Sequence, residues 1–122
     1  MEFLAVGFGG AIGALLRFYV SQIIVYEAGF PLATLTANLI GCFGLSFLLS
    51  GRLLQKKPHI KLALTTGLLG SFTTFSTFSY ETVTLLNNGL FCPALLYICL
   101  SVLGGLCCSI VGFKLANGGE KE

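Results

Sequence analysis

The charged residues of this chain are few and lie between long apolar stretches. Four stretches carry no charge, or only Arg17 in the first: residues 3–25, 28–51, 62–80 and 82–113. The last is too long for one membrane crossing, but Asn87, Asn88 and Gly89 are turn-forming residues that divide it. The pattern predicts four helices, at about residues 3–25, 32–54, 61–86 and 93–114. Each is long enough to cross a hydrocarbon core about 30 Å thick at about 1.5 Å per residue.

The composition agrees with a membrane-embedded protein. Of 122 residues, 55% are hydrophobic and 10% are charged, and the mean hydropathy is +0.90. A soluble domain has roughly 25% charged residues. We therefore predict an all-α integral membrane protein with a single domain, residues 1–122. Such a chain has no room for a soluble catalytic module, so an enzyme is not expected. A net charge of +2 without a long basic run argues against nucleic acid as a partner.

The basic residues predict the orientation in the membrane. With four spans, both termini and the loop between the second and third helices share one side. Six basic residues fall on that side, whereas Glu27 is the only charged residue of the two opposite loops. The six are Arg52, Lys56, Lys57, Lys61, Lys114 and Lys121. Because cytoplasmic segments of membrane proteins are enriched in Lys and Arg, we predict cytoplasmic termini.

Polar residues within the predicted spans are the candidates for function, since they are costly in hydrocarbon and usually face a bundle interior or a pathway. They are Arg17, Asn38, the segment 71–81, Tyr97 and Ser101. Residues 71–79 contain six hydroxyl and three phenylalanine side chains, and Gly67 and Gly70 before them weaken the helix. Two interpretations stay open. The segment is either a polar helix face bonded to its own carbonyls or an interrupted helix whose freed backbone groups bind an ion.

Three of these side chains present partial positive charge. Asn38 offers two N–H donors, and the rings of Phe75 and Phe78 have positive edges. Such groups can contact an anion without trapping it as a lysine would, and conduction requires binding of that moderate strength. The alternatives are that Asn38 joins two helices by a hydrogen bond and that the two rings only pack.

Three segments resemble, in order and spacing, the signatures of the Fluc (CrcB) family of fluoride channels. They are residues 9–18 (GGAIGALLRF), 34–43 (TLTANLIGCF) and 67–81 (GLLGSFTTFSTFSYE). The resemblance covers nearly the whole chain, and the string TTFSTF is its most specific part. It implies a subunit of four transmembrane helices with a break in the third. It also implies an antiparallel dimer with two fluoride pores at the subunit interface and a central sodium ion.

The resemblance also implies roles for individual residues. Backbone carbonyls of Gly70 and Thr73 from both subunits would hold the sodium ion. The fluoride pore would be lined by Asn38, Phe75, Phe78, Ser76, Tyr97 and Ser101. Arg17 and Glu81 would act in orientation or in the electrostatics of the pore vestibule. The chain departs from the family pattern at Gly105, where the fourth helix often carries a further serine, so the number of hydroxyl contacts stays open.

The charge asymmetry bears on the expected dimer. Family members that form homodimers insert in both orientations and need balanced Lys and Arg, whereas this chain has its six basic residues on one side. Other members occur as paired subunits of fixed, opposite orientation. The sequence therefore favours a heterodimer with a second Fluc-type subunit over a homodimer. The expected location is the bacterial cell membrane, with lipid around the helices.

The function that the resemblance implies is passive, fluoride-selective export from the cytoplasm, which would give fluoride resistance. An alternative from another class is a small proton-coupled multidrug antiporter in which Glu81 binds proton and substrate. Such transporters place their essential carboxylate in the first helix and line the cavity with Trp and Tyr. Here the first helix carries Arg17, and the chain has no Trp. A structural membrane subunit without transport is a third hypothesis.

Overall fold

A computed structural model describes residues 1–24 and 29–118, which form helices and turns and no β-strand. The helical elements are α1 (Glu2–Ile23), α2 (Leu32–Ser50), α3 (Pro58–Leu62), a π-helical segment (Ala63–Leu69), α4 (Gly70–Phe72), α5 (Phe75–Asn87) and α6 (Phe91–Asn117). Within this part of the chain, α1, α2 and α6 are each long and apolar enough to cross a membrane. The helical content and these three helices fit the predicted class of integral membrane protein.

The helix ends differ from the predicted ones for local reasons. The second helix ends at Ser50 rather than at residue 54, because Gly51 has extended backbone angles (φ −74°, ψ 149°). The last helix begins at Phe91, before the predicted start at Pro93. This proline lies in the first turn, where backbone N–H groups have no helical partner. The predicted end of the first helix, residue 25, lies outside the described residues.

The turn between α5 and α6 forms where the sequence predicts it. Gly89 has a positive φ of 74°, a conformation that glycine adopts without steric cost. The N–H of Gly89 donates to the carbonyl of Leu86, and the N–H of Leu90 donates to that of Leu85. These two bonds are those of a Schellman motif, which satisfies the last carbonyls of α5.

Glycines bring α1 into backbone contact with the π-helical segment. A Cβ atom on Gly9 would overlap the carbonyl of Ala63, and one on Gly67 would lie 2.6 Å from a backbone oxygen of α1. The Ser71 hydroxyl donates a hydrogen bond of 2.7 Å to the carbonyl of Gly10. Close approach of this kind is how membrane helices associate when hydrophobicity cannot drive them together. The chain from Pro58 to Phe72 is therefore fixed against α1.

Small residues also join α2 to α6. A Cβ atom on Gly112 would lie 2.5 Å from the carbonyl oxygen of Phe43. The Ser46 hydroxyl donates to the carbonyl of Ser109 at 2.7 Å. Buried Leu85 of α5 packs with residues of α2 and α6 in a core that includes Tyr97. The chain thus passes from the α1 side of the molecule to the α2–α6 side between α4 and α5.

Candidate functional site

The helical region between residues 58 and 87 is interrupted at Thr73 and Thr74. Their backbones are extended, with φ −81° and ψ 153° at Thr73 and φ −150° and ψ 125° at Thr74. The predicted third helix, 61–86, is therefore not continuous, and the interruption falls within the hydroxyl-rich segment. Broken helices at membrane depth need partners for the backbone groups that they release.

Asn38 supplies partners for the interrupted backbone. Its Oδ1 accepts a hydrogen bond of 2.8 Å from the N–H of Thr74, and its Nδ2 donates one of 3.1 Å to the Thr74 carbonyl. The amide thus satisfies both backbone polar groups of one extended residue. Asn38 does join two elements, as one sequence interpretation proposed, and its second N–H and second oxygen lone pair remain for other contacts.

The same pairing releases a carbonyl of α4. In a continuous α-helix the N–H of Thr74 would donate to the carbonyl of Gly70. That N–H donates to Asn38 instead. The N–H and hydroxyl of Thr73 both donate to the Leu69 carbonyl, at 3.0 and 2.9 Å. The carbonyl of Gly70 thus lacks the partner that an unbroken helix provides, which is what a backbone cation ligand needs.

Hydroxyl groups cap the start of α5. The Thr74 hydroxyl accepts a hydrogen bond of 3.2 Å from the N–H of Thr77, as an N-cap residue does. The exposed Ser76 hydroxyl lies 3.2 Å from that of Thr74. Further along α5, hydroxyls bond to carbonyls four residues back, as Ser79 does to Phe75. The segment therefore contains an interruption, followed by a helix whose polar side chains bond to its own backbone, and ion binding at the interruption stays a prediction.

A cavity of about 360 Å³ opens beside the interruption. It is lined by Asn38, Gly41, Cys42, Leu45, Thr65, Leu69, Gly70, Thr73, Thr74, Phe75, Phe78, Ser101 and Val102. Six of the residues singled out from the sequence are among them: Asn38, Gly70, Thr73, Phe75, Phe78 and Ser101. Residues from α2, α4, α5 and α6 therefore converge on one space that contains polar groups but no side chain with a full charge.

Ser101 of α6 and Cys42 of α2 bring a hydroxyl and a thiol to the lining of the cavity. Within the described part of the chain, the hydroxyl of Ser101 is buried and has no hydrogen-bond partner. One turn later, a Cβ atom on Gly105 would lie 3.3 Å from the Cys42 sulfur. The thiol of Cys42 therefore occupies the space next to Gly105, at the position where the sequence comparison led us to expect a further hydroxyl.

Three aromatic rings follow one another from the cavity into the core. The rings of Phe75 and Phe78 have centroids 5.8 Å apart, and those of Phe78 and Tyr97 are 5.1 Å apart. Exposure falls along the series, from 79% for Phe75 to 0% for Tyr97. Phe30 contacts Tyr97 edge-on at 5.8 Å. The first ring is therefore open to the surroundings of this chain, whereas the last is enclosed.

Glu81 is held by two hydroxyl groups. Thr34 donates to its Oε1 at 2.9 Å, and Tyr97 donates to its Oε2 at 2.8 Å. A carboxylate that accepts two hydroxyl bonds has lost freedom to reorient. Since Tyr97 also contacts Phe78, the carboxylate fixes the ring that supports the aromatic series.

Four predicted residues do not line the cavity: Arg17, Ser76, Tyr97 and Glu81. Arg17 is half-buried on α1, and its guanidinium has no hydrogen bond or ion pair within residues 1–24 and 29–118. Ser76 is exposed at the start of α5. The contacts that sequence analysis missed are those of Thr34, Thr74, Cys42 and Phe30. Thr34 and Cys42 fall in the quoted segment 34–43, but nothing in the sequence indicates which helix face meets Glu81 or Gly105.

These features define a multi-pass membrane protein with a broken helix beside a mainly apolar cavity that contains a few polar groups. Residues 4–113 match the family described as "CrcB-like protein, Camphor Resistance (CrcB)", and the chain belongs to this family. It is 44% identical to "Fluoride-specific ion channel FluC 1" of Bacillus cereus over 94% of this chain and 83% of the relative. It is 46% identical to "Fluoride-specific ion channel FluC" of Methanocaldococcus jannaschii over 94% of both chains. A Chloroflexus aurantiacus protein of the same name is 45% identical over 93% and 94%.

The comparisons confirm the resemblance drawn from the sequence. The family is one of ion channels and not of enzymes, which fits the prediction that this protein is not an enzyme. The antiporter alternative finds no support in the family match or in these relatives.

Proposed function

We propose that this chain forms a fluoride-selective channel that exports fluoride passively from the cytoplasm, with the cavity at the helix interruption as part of the pore. The observation that carries the proposal is the lining of that cavity. Asn38, Ser101 and the Phe rings offer partial positive charge, and none offers a full one. This supports moderate binding of a small anion, which conduction requires.

The proposed path uses hydrogen-bond donors of these residues that have no partner within the described part of the chain. The pairing with Thr74 uses only one of the two side-chain N–H groups of Asn38, so the second can donate to an anion. The Ser101 hydroxyl can donate as well. Fluoride would exchange its hydration for these donors and for the ring edges of Phe75 and Phe78. Ser76 would contribute a hydroxyl contact, whereas the Tyr97 hydroxyl, which donates to Glu81, would act by holding the Phe78 ring in place. Arg17 and Glu81 would act on the vestibule field or on orientation.

We further propose that a sodium ion binds at the interruption, between Gly70 and Thr73 carbonyls of two antiparallel subunits. The released carbonyl of Gly70 supports this assignment, as does the position of both residues on the open cavity. The ion would join carbonyls that otherwise repel one another and would lower the cost of an anion nearby in a low-dielectric region. Each subunit would supply half of the ligands.

The proposed orientation has both termini in the cytoplasm of a bacterial cell. The contact of 3.9 Å between Glu2 and His59 supports it, because it brings the start of α1 beside the basic loop. With this charge distribution, we propose a heterodimer with a second Fluc-type subunit as the favoured assembly, in preference to a homodimer. The partner would insert with the opposite orientation.

Flux from liposomes tests the function. Purified protein, alone and with any co-encoded second subunit, should release fluoride from loaded vesicles while chloride is retained. Replacing sodium by N-methyl-D-glucamine on both sides should lower the flux, since the proposed ion is structural. Fluoride release no faster than from protein-free vesicles, in both subunit arrangements, would contradict the channel. Unchanged flux without sodium would contradict only the cation site.

A further inference from the structure

A second open cavity lies on the surface of the molecule, between α2 and α6, and it is apolar. Its volume is about 330 Å³. It is lined by Leu39, Ile40, Phe43, Cys107, Cys108 and Val111. No polar atom contributes to its surface, and none of its residues lines the cavity at the helix interruption. We call it the α2–α6 groove.

The groove exists because small side chains sit between larger ones on α6. Cys107 is exposed and Cys108 half-buried, while Ile40 and Val111 at the rims are 51% and 49% exposed. The close packing of Gly112 on Phe43 fixes the two helices behind it. Both helices are long and apolar enough to cross a membrane. An apolar groove between two membrane-spanning helices fits a hydrocarbon chain.

Positive charge lies at one end of the groove. Lys114 is exposed and follows Val111 by three residues, a spacing that places them on neighbouring positions of one helix surface. Along the axis they are about 4.5 Å apart at about 1.5 Å per residue. A long lysine side chain at a helix end extends toward the lipid headgroups.

The end of α2 lies beside the end of α6. A Cβ atom on Gly51 would lie 3.8 Å from the Cβ of Ala116, so the last turns of α2 and α6 meet there. Arg52 follows directly. The groove is therefore apolar along its length, and Lys114 lies one helical turn beyond Val111, its last lining residue on α6.

From this arrangement we propose that the α2–α6 groove binds one anionic phospholipid, with an acyl chain in the groove and the phosphate headgroup at Lys114. Each basic residue near a membrane surface contributes to the attraction of anionic lipid by an amount equal to about a fivefold change in binding. A zwitterionic lipid with the same chains would fill the groove without this gain. The proposal does not depend on the transported ion.

Lipid retention measured by native mass spectrometry tests the site. Purified protein is exposed to phosphatidylglycerol or phosphatidylcholine with identical acyl chains, and the lipid that remains bound is counted. We expect preferential retention of phosphatidylglycerol. Lys114→Gln should lower that retention about fivefold, Lys114→Arg should restore it, and Cys107→Phe should lower retention of both lipids by filling the groove.

Lys56→Gln is the matched control, because it removes the same charge from an exposed position outside the groove. Fluoride release from phosphatidylcholine vesicles, measured for every variant, shows whether the protein is still assembled. Equal retention of the two lipids, or equal effects of Lys56→Gln and Lys114→Gln, would overturn the proposal. A change in the subunit count caused by Cys107→Phe would do so too, because the occupant would then be a second protein chain.

Discussion

Asn38 and Thr74 are joined by two hydrogen bonds, one to each backbone polar group of Thr74. The side chain thus replaces the helical bonds that Thr74 would have made, and one residue of α2 holds the end of α4 and the start of α5 in place. The same amide lies on the cavity wall. A structural role and a role in ion contact are therefore compatible, since the pairing uses only half of its hydrogen-bonding capacity.

Asn38→Asp should nearly abolish fluoride flux and lower the free energy of unfolding. A carboxylate cannot donate to the Thr74 carbonyl, and a buried acceptor without a donor costs about 1–3 kcal/mol. The new carboxylate would also repel fluoride. Flux from liposomes and denaturant unfolding measure the two effects. Asn117→Asp is the control, because Asn117 donates to the Phe113 carbonyl at an exposed site. Normal flux in a stable Asn38→Asp protein would limit this residue to its structural role.

Replacing Phe75 and replacing Phe78 should both lower the fluoride flux, but the two replacements should affect the stability of the protein differently. Phe75→Ile and Phe78→Ile keep apolar bulk and remove the positive ring edge, so both should reduce fluoride throughput. Only Phe78 contacts Tyr97, at 5.1 Å, and loss of an aromatic pair costs about 0.5–1.5 kcal/mol. Among the described aromatic residues, Phe75 pairs with Phe78 alone and is 79% exposed in the single chain, so its replacement should lower the free energy of unfolding less than that of Phe78. Full flux in both variants would remove the argument from ring edges.

Replacing glycines of α1 by alanine should affect stability according to what lies near each Cβ position. Gly9→Ala places a methyl group on the Ala63 carbonyl, whereas Gly7 has nothing within 4 Å of its Cβ position. Overpacking of a tight contact costs about 1–3 kcal/mol. We therefore expect a lower denaturation midpoint for Gly9→Ala and no loss for Gly7→Ala, which serves as the matched control. Equal midpoints would show that the α1 contact can widen freely.

Gly105 and Cys42 should behave as a coupled pair. Gly105→Ser brings a side chain to within 3.3 Å of the Cys42 sulfur and should destabilise the protein. Adding Cys42→Ala makes room for the new hydroxyl, so the double variant should recover stability. Coupling between contacting residues is typically about 0.5–3 kcal/mol in a double-mutant cycle. Additive effects on unfolding would mean that the thiol does not occupy the space beside Gly105.

A single orientation in the membrane is expected from the basic residues of one side. A reporter that is active only in the cytoplasm, fused after Glu122, should therefore be active. Moving charge, by Lys56→Gln and Lys57→Gln together with new lysines in the loop after α5, should yield both orientations. Reporter signal from both sides in the unmodified chain would instead support a homodimer with dual topology.

Much of the fold follows from the sequence, because long apolar runs and turn residues leave few arrangements. The turn at Gly89 and the three long helices depend on residues close to one another along the chain. Gly70 and the hydroxyls after it also indicate an interruption. Its position at Thr73 and Thr74, however, depends on Asn38, 36 residues before Thr74. Sequence periodicity does not specify which residue of α2 reaches that backbone.

The site was predictable in its residue types and less so in its connections. Asn38, Phe75 and Ser101 stand out because polar and aromatic groups of this kind are unusual in one apolar chain. The support of Glu81 by Thr34 and Tyr97 was not predicted. Neither was the thiol of Cys42 beside Gly105. Both depend on the rotation of α2 about its axis, which the sequence does not reveal because the polar residues of α2 do not form one continuous face.

The π-helical segment Ala63–Leu69 lies between the backbone contact with Gly9 and the interruption that follows α4. A π-helix pairs each N–H with the carbonyl five residues back, whereas an α-helix pairs it with the carbonyl four residues back. The π-helix therefore turns less per residue. If the same seven residues were α-helical, Gly70 and Thr73 would be rotated about the helix axis relative to the contact with Gly9. The direction in which their carbonyls face is thus set by backbone geometry well before the interruption.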